Sequence, residues 1–160
     1  MKTPAKTNAS RLLDKQKIAY ELFAYEVDET DLSAASLAAK LGQNVKQIFK
    51  TLVLRGTNTG IFVCVIPGDE EVDLKLAAKV SGNKKAELIA MKELLPVTGY
   101  IRGGCTPIGM KKQFPVFIHD SCLMFDKIYI SGGKRGLQLK LSPQDIIAAS
   151  KANLAKLVVS

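Results

Sequence analysis

The sequence predicts an α+β fold: a single compact domain with a mixed, partly closed, barrel-like β-sheet and flanking helices. Short β-rich runs and short helical stretches are interspersed along the chain, as in a domain that packs helices against a sheet. Two pairs of runs, 48–55 with 61–66 and 127–131 with 137–141, are joined by glycine-rich connections that read as hairpins. No repeat, low-complexity segment or long linker divides the chain, so residues 1–160 read as one domain.

Each element carries its own signal. Residues 8–17 read as a helix with Asn8 or Ser10 as cap and Leu12 and Leu13 turned inward. Residues 20–25 read as a strand. An alanine-rich helix over 33–41 is capped by Ser33 and stopped by Gly42. The run Gly56-Thr57-Asn58-Thr59-Gly60 turns the first hairpin. Asp73 caps a helix reaching Ser81, with Leu74, Leu76, Ala77 and Val80 as its apolar face and Gly82 as its end. A short helix at 91–95 is expected to stop before Pro96. Residues 116–119 and 127–131 read as strands, and 137–141 as a half-exposed strand in which Gln138 and Lys140 alternate with leucines. Ser142 and Pro143 open a helix, with Asp145 at its positive end. Residues 154–159 form a last apolar segment.

A chain of 160 residues buries roughly 70% of its unfolded surface, and 47% hydrophobic content supplies the core. No apolar run approaches the ~18 residues that span a bilayer, and residues 1–10 lack a signal core, so a cytoplasmic protein without a membrane partner is expected. Cys64, Cys105 and Cys122 are odd in number and not in CxxC spacing, which argues against a disulfide framework or a zinc site. The formal net charge is +8, and Lys84-Lys85, Lys111-Lys112 and Lys134-Arg135 cluster beside turns. That balance favours polyanions. Tryptophan is absent and aromatics are 6%, so a nucleic acid would be held by its phosphates and its end rather than by stacked bases.

Three polar stretches concentrate the chemistry: Phe49-Lys50-Thr51, the run from Gly103 through Gly104, Cys105, Thr106 and Pro107 to Lys111 and Lys112, and the run from Ser131 through Gly132, Gly133, Lys134 and Arg135 to Gly136. Lys50 reads either as a solvent-facing lysine of an edge strand or as a cation at the mouth of the sheet. The glycine pair at 103–104 reads as an ordinary tight turn or as a loop aiming amides at one oxygen. The stretch 131–136 is a hairpin loop or a phosphate contact. It lacks both the GK[ST] and the GxGxxG orders, which leaves ATP and NAD without support. Cys105 lacks a basic partner in sequence, and the single histidine, His119, lies in a strand run. Tyr25 closes the first strand and reads as core or as a flank of the pocket, with core favoured.

Taken together, the stretches resemble the YbaK/EbsC family of aminoacyl-tRNA deacylases, related to the editing domain of bacterial prolyl-tRNA synthetases. The likeness starts at Thr3-Pro4-Ala5 and 15–18. It passes through Phe49-Lys50-Thr51-Leu52, Gly99-Tyr100, Gly103-Gly104, Thr106-Pro107 and Gly109, and closes with 129–137 and 142–145. The resemblance implies a trans-editing hydrolase, needing no cofactor or metal, that removes cysteine from mischarged tRNA(Pro), with prolyl-tRNA synthetase as a candidate partner; a monomer is expected because no long apolar stripe is left uncovered. It implies catalytic roles for Lys50, Gly103 and Gly104. Tyr25, Thr51, Thr106, Pro107, Ser131, Gly132 and Gly133 would bind substrate, and Lys111, Lys112, Lys134 and Arg135 would meet tRNA phosphates. The attacking group would be the substrate's own thiol or the ribose 2′-hydroxyl. The competing readings are a deacylase for another mischarged tRNA, a non-catalytic basic module that grips tRNA ends or a synthetase, and a small-molecule hydrolase using Cys105.

Overall fold

The computed structural model describes residues 6–159; the expected contribution of Thr3-Pro4-Ala5 lies outside them. Helix α1 (Asn8–Lys15) is capped by Thr7, and neither expected cap, Asn8 or Ser10, takes that position. Thr7 and Ser10 each accept a hydrogen bond from the other's backbone amide, so a serine takes the place usually held by Glu or Gln in this reciprocal cap. Leu13 is wholly buried and Leu12 packs at the edge of the same core. Strand β1 (Glu21–Ala24) leads through an irregular segment, 25–33, to α2 (Ala34–Leu41), which Ser33 caps and left-handed Gly42 ends.

Strands β2 (Phe49–Gly56) and β3 (Gly60–Pro67) form the first hairpin, paired from Phe49↔Pro67 to Gly56↔Gly60. Helix α3 (Leu74–Ser81) is capped by Asp73 as expected, but its buried face is Ala77 and Ala78. Leu74 and Val80 point outward, because the helix lies close enough on the sheet that only small side chains fit beneath it. Strand β4 (Ala86–Leu88) has no signal in its composition; it exists because Leu54 and Gly56 of β2 offer it a ladder. Helix α4 (Leu94–Thr98) includes Pro96, contrary to the expected stop. Pro96 falls in the first turn, where no intrahelical amide is needed.

Strands β5 (Val116–His119), β6 (Ile128–Ser131) and β7 (Leu137–Leu141) precede α5 (Pro143–Ser150), capped by Ser142. A short β8 (Asn153–Ala155) follows, and Val158 bridges back to Val72.

The strands form two open sheets. One is five-stranded and mixed, in the order β4-β2-β3-β5-β8; the other is an antiparallel trio, β1-β7-β6. Their only recorded pairing among the described residues is the isolated bridge Ile48↔Tyr129. The expected barrel-like closure is therefore absent: one bridge is not a ladder, and among the described residues β2 and β6 stay in separate sheets. The main core fills the space between the sheets, with Leu13, Val65, Ile118, Ile130, Leu139 and Ile146 at its centre. Helix α3 covers the other face of the larger sheet, and α2 lies over Tyr129 and Phe23 on the outer face of the smaller one. The seam where the sheets part, roofed by α2 and its leading segment, is the site described next.

Candidate active site

A cleft of about 530 Å³ opens at this seam. Its walls come from 25–37 on one side, Ile48 to Leu52 along β2, and the loops at 102–105 and 131–135. All three sequence stretches reach it, but each sends only some of its residues.

Lys50 lines the cleft, half-buried, from a strand paired there with β3 through Lys50↔Ile66. β4 reaches only Leu54 to Gly56, so at Lys50 the other side of β2 carries no ladder among the described residues, and the side chain stands at the cleft. Among the described residues the Lys50 ammonium has no ion-pair partner. Thr51 follows it on the wall, and its Oγ1 is buried without a hydrogen-bond partner among the described residues. Tyr25 also stands on the cleft wall rather than in the core, because strand β1 ends just before it and the chain turns toward α2.

Gly103 faces the cleft with φ +84°, a left-handed conformation that glycine alone adopts freely. Gly104 does not line the cleft. Its amide donates to Ile101 O at 2.9 Å, which closes a tight turn. A Cβ there would sit 2.9 Å from Lys134 Cα, so the missing side chain lets the 101–109 loop dock on the 132–136 loop. Thr106 and Pro107 are buried behind the wall, Thr106 with an unpartnered Oγ1.

Ser131 reaches the cleft, and its Oγ accepts from the Gly133 amide at 3.2 Å. Gly132 and Gly133 shape the hairpin: the Gly132 amide donates to Leu137 O, and Gly132 O accepts from the Thr7 hydroxyl. Arg135 lines the cleft; Lys134 points away into solvent. Lys111 and Lys112 are exposed and outside the cleft.

Lining residues that sequence reasoning had not assigned to the site include Asp28, Asp31, Lys40, Arg102 and Gln138. The acidic run Asp28-Glu29-Thr30-Asp31 is a visible signal in a chain of net charge +8. Hydrogen bonds from the Thr30 hydroxyl and amide hold Asp28 below the ordinary carboxylate range, and hydrogen bonding from Ser33 does the same for Asp31. Gln138 had a signal that pointed the wrong way. The expected half-exposed position is 3% exposed, because α2 and the 25–33 segment cover that face of β7.

The cleft is therefore bipolar. Lys50, Arg102 and Arg135 supply cations; Asp28 and Asp31 supply carboxylates that stay ionised. Cys105 is on the wall, but burial pushes its thiol up to about 12, so it remains protonated at neutral pH and is a poor nucleophile. His119 lies elsewhere. Its Nδ1 accepts from the Leu157 amide at 3.1 Å, and burial lowers its pKa, so it serves as a neutral anchor for the C-terminal segment. No helix of the described residues is long and apolar enough to cross a membrane.

An α+β domain that gathers cations and a glycine of left-handed backbone around one cleft has the arrangement of an anion-holding site. The chain belongs to the aminoacyl-tRNA editing domain family, which it matches over residues 29–149. It is 47% identical over 156 residues to the "Putative Cys-tRNA(Pro)/Cys-tRNA(Cys) deacylase EbsC" of Enterococcus faecalis, covering 98% of this chain and 95% of that protein. YwhH of Bacillus subtilis is 27% identical over 124 residues, 76% of this chain and 78% of its own. Solved structures share the fold, these two among them. The hypothetical protein APE2540 superposes with a TM-score of 0.87 at 24% identity, covering 96% of this chain and 100% of that one. A "putative trans-editing enzyme for prolyl tRNA synthetase" superposes with a TM-score of 0.85 at 22% identity, covering 98% and 100%.

Proposed function

We propose that this protein is a free-standing deacylase that hydrolyses the ester between a mischarged amino acid and the 3′-terminal ribose of tRNA. The reading names cysteine on tRNA(Pro) as the substrate, the cytoplasm as the compartment and a monomer as the working form. The observation that carries it is the convergence of Lys50, Gly103, Ser131 and Arg135 on one cleft, in a member of the editing family. The kinship with a protein named for cysteinyl-tRNA deacylation supports the choice of amino acid.

In this reading Lys50 holds the terminal nucleotide and the negative charge that grows on the reacting ester. The Gly103 amide faces the ester carbonyl; an oxyanion donor of this kind supplies ~3–4 kcal/mol of barrier reduction. Gly104 supports it by closing the turn. Thr51, Ser131 and Tyr25 form the walls, with Thr106, Pro107, Gly132 and Gly133 shaping the loops behind them. Arg102 and Arg135 meet the nearest phosphates. Lys111, Lys112 and Lys134 lie on the outer approach, where they steer the polyanion through long-range attraction.

The attacking group belongs to the substrate. Asp28 and Asp31 are weak bases with lowered pKa values, and the Cys105 thiol stays protonated. The thiol of a cysteinyl ester attacks the carbonyl carbon, the bond to the ribose oxygen breaks, that oxygen takes the thiol proton, and water then opens the resulting thiolactone to free cysteine; attack by the neighbouring ribose hydroxyl forms a shifted ester that water must still cleave. Size alone discriminates poorly between cysteine and alanine, since one small group is worth ~1–3 kcal/mol. Thiol participation adds discrimination through reactivity. The test is release of radiolabelled cysteine from Cys-tRNA(Pro) by purified protein, with and without prolyl-tRNA synthetase. Release that requires the synthetase would assign tRNA selection to that partner.

A further inference from the structure

The turn before β4 carries Lys84 and Lys85, a basic pair outside the cleft. This turn is clasped to the turn of the first hairpin by Asn83, which is buried although Gly82 and Lys84 on either side are exposed. Asn83 Oδ1 accepts from the amides of Asn58 and Thr59, each at 2.8 Å. Its Nδ2 donates to the hydroxyls of Thr59 at 2.9 Å and Ser81 at 2.8 Å. The Lys84 amide donates to Asn58 Oδ1, the Lys85 amide to Thr57 Oγ1, and the Thr57 amide to Lys85 O. Gly56 makes room for the hub: a Cβ there would fall 2.1 Å from Asn83 Cγ. The hairpin and α3 are complete elements without these bonds. What the bonds add is a fixed position for Lys84 and Lys85, whose backbones are held while their side chains stay in solvent.

The charge of this end is one-sided. Lys75 and Lys79, exposed on α3, add two more ammonium groups just ahead of the clasp. None of the four lysines has an ion-pair partner among the described residues. Of the acids on this side, Glu93 pairs with Arg55 at 3.0 Å, and Glu87 stands opposite Arg55 in the β2–β4 ladder. The cleft differs: there Asp28, Glu29 and Asp31 offset Lys50, Arg102 and Arg135.

Position matters as much as sign. Strand β3 occupies one flank of β2. Along the other flank, Lys50 to Leu52 open on the cleft, and Leu54 to Gly56 pair with β4, the strand that the clasp feeds. Cleft and clasp therefore lie along the same flank of one strand, with Lys50 and Gly56 about 20 Å apart at ~3.3 Å per residue. A polyanion that places one end in the cleft and continues along this flank meets the lysines next. A tRNA is such a ligand, with a single-stranded 3′ end and a double-stranded arm behind it. RNA duplexes are held through phosphates and sugars rather than through their bases.

We propose that the clasped turns 57–59 and 81–85, with Lys75 and Lys79 beside them, form a second RNA site. It grips the backbone of the tRNA acceptor arm while the 3′ end occupies the cleft. The inference rests on the deacylase reading for the identity of the RNA. It divides the work: the cleft reads the aminoacyl end, and the clasp contributes affinity without base identity.

The test is equilibrium binding of uncharged tRNA(Pro), and of a single-stranded tetranucleotide ending in CCA, across a salt series. Lys84→Gln/Lys85→Gln removes two charges and leaves the backbone bonds of the clasp in place, so its melting temperature should match that of wild type. It should bind tRNA about 10- to 30-fold more weakly at physiological salt, with the slope of log affinity against log salt shallower by about 2. The tetranucleotide should bind wild type and variant alike. Lys15→Gln/Lys151→Gln removes the same charge from exposed positions on α1 and after α5, and should weaken tRNA binding by less than about 3-fold. Unchanged tRNA affinity in Lys84→Gln/Lys85→Gln, or an equal loss in the control, overturns the proposal. So does a variant that keeps tRNA but loses prolyl-tRNA synthetase, which would give the surface to a protein partner. A wild type that does not bind tRNA overturns it as well. Ester clearance with the same KM in wild type and variant sinks the clasp and leaves the deacylase reading intact. Loss of tRNA binding in the variant, with no ester cleared by wild type, leaves the clasp standing and sinks the catalytic reading.

Discussion

Arg135 and Glu29, 106 residues apart, form an ion pair at 2.7 Å across the mouth of the cleft. The same guanidinium donates through Nε to Arg102 O at 2.7 Å, so one side chain ties the segment before α2 to the glycine loop. Glu29 thus occupies a cation that the proposed function assigns to a substrate phosphate.

Glu29→Gln should release Arg135 without harming the fold. Glu29 is 66% exposed, and exposed pairs contribute ~0–1 kcal/mol. The expected result is a KM for aminoacyl-tRNA lowered by up to about 5-fold at low salt, with kcat little changed. The gain should fade as salt rises, since the freed charge is screened. An increased KM would show that the ion pair organises the site instead of competing with substrate.

Gly104→Ala should act through stability. The new Cβ would lie 2.9 Å from Lys134 Cα, a backbone atom that cannot swing aside. Overpacking of this kind costs ~1–3 kcal/mol and should lower the melting temperature by about 2–10 °C. Gly42→Ala is the control: a Cβ there meets nothing within 4 Å, so only the left-handed backbone (φ +64°) penalises it. Similar melting points for the two variants would mean that the loops adjust without strain.

The three thiols should make the protein sensitive to alkali. Burial raises Cys64 and Cys105 to about 12 and Cys122 to about 11, against 9.0 for a free thiol. Their folded pKa values are raised, so the unfolded chain releases its protons first. The stability is complete below about pH 9 and is lost as pH climbs toward the folded values, at up to ~1.4 kcal/mol per pH unit for each thiol. Denaturant midpoints between pH 8 and 11 measure this. Cys105→Ala should flatten the slope and keep turnover near that of wild type. Loss of turnover at neutral pH in a folded Cys105→Ala would restore the thiol as a participant.

Local signals carried most of the secondary structure. Ser33, Asp73 and Ser142 announce their helices because a capping side chain needs only its own next residues. The hairpins were legible for the same reason. What was not legible depends on distant partners: β4 exists through its ladder with β2, and the gap between the sheets depends on where β2 and β6 diverge. The site divides in the same way. Lys50, Gly103, Ser131 and Arg135 stood out as charge and glycine in unusual runs. Gln138 looked like a surface residue of an alternating strand, and only the covering helix makes it buried. Gly104 was recognisable as special, but the neighbour that requires glycine, the backbone at Lys134, is 30 residues away.

The most direct measurement is the deacylation of Cys-tRNA(Pro) and Ala-tRNA(Pro), side by side, by wild type and Lys50→Ala. The account predicts rapid loss of the cysteinyl ester, slow loss of the alanyl ester, and about a 100-fold or greater fall in the cysteinyl rate on removing Lys50. The variant should retain the wild-type melting temperature, since the ammonium has no ion-pair partner among the described residues. Equal clearance of both esters would contradict thiol participation. Clearance unaffected by Lys50→Ala, or no clearance above the uncatalysed rate, would contradict the assignment of this cleft as the active site.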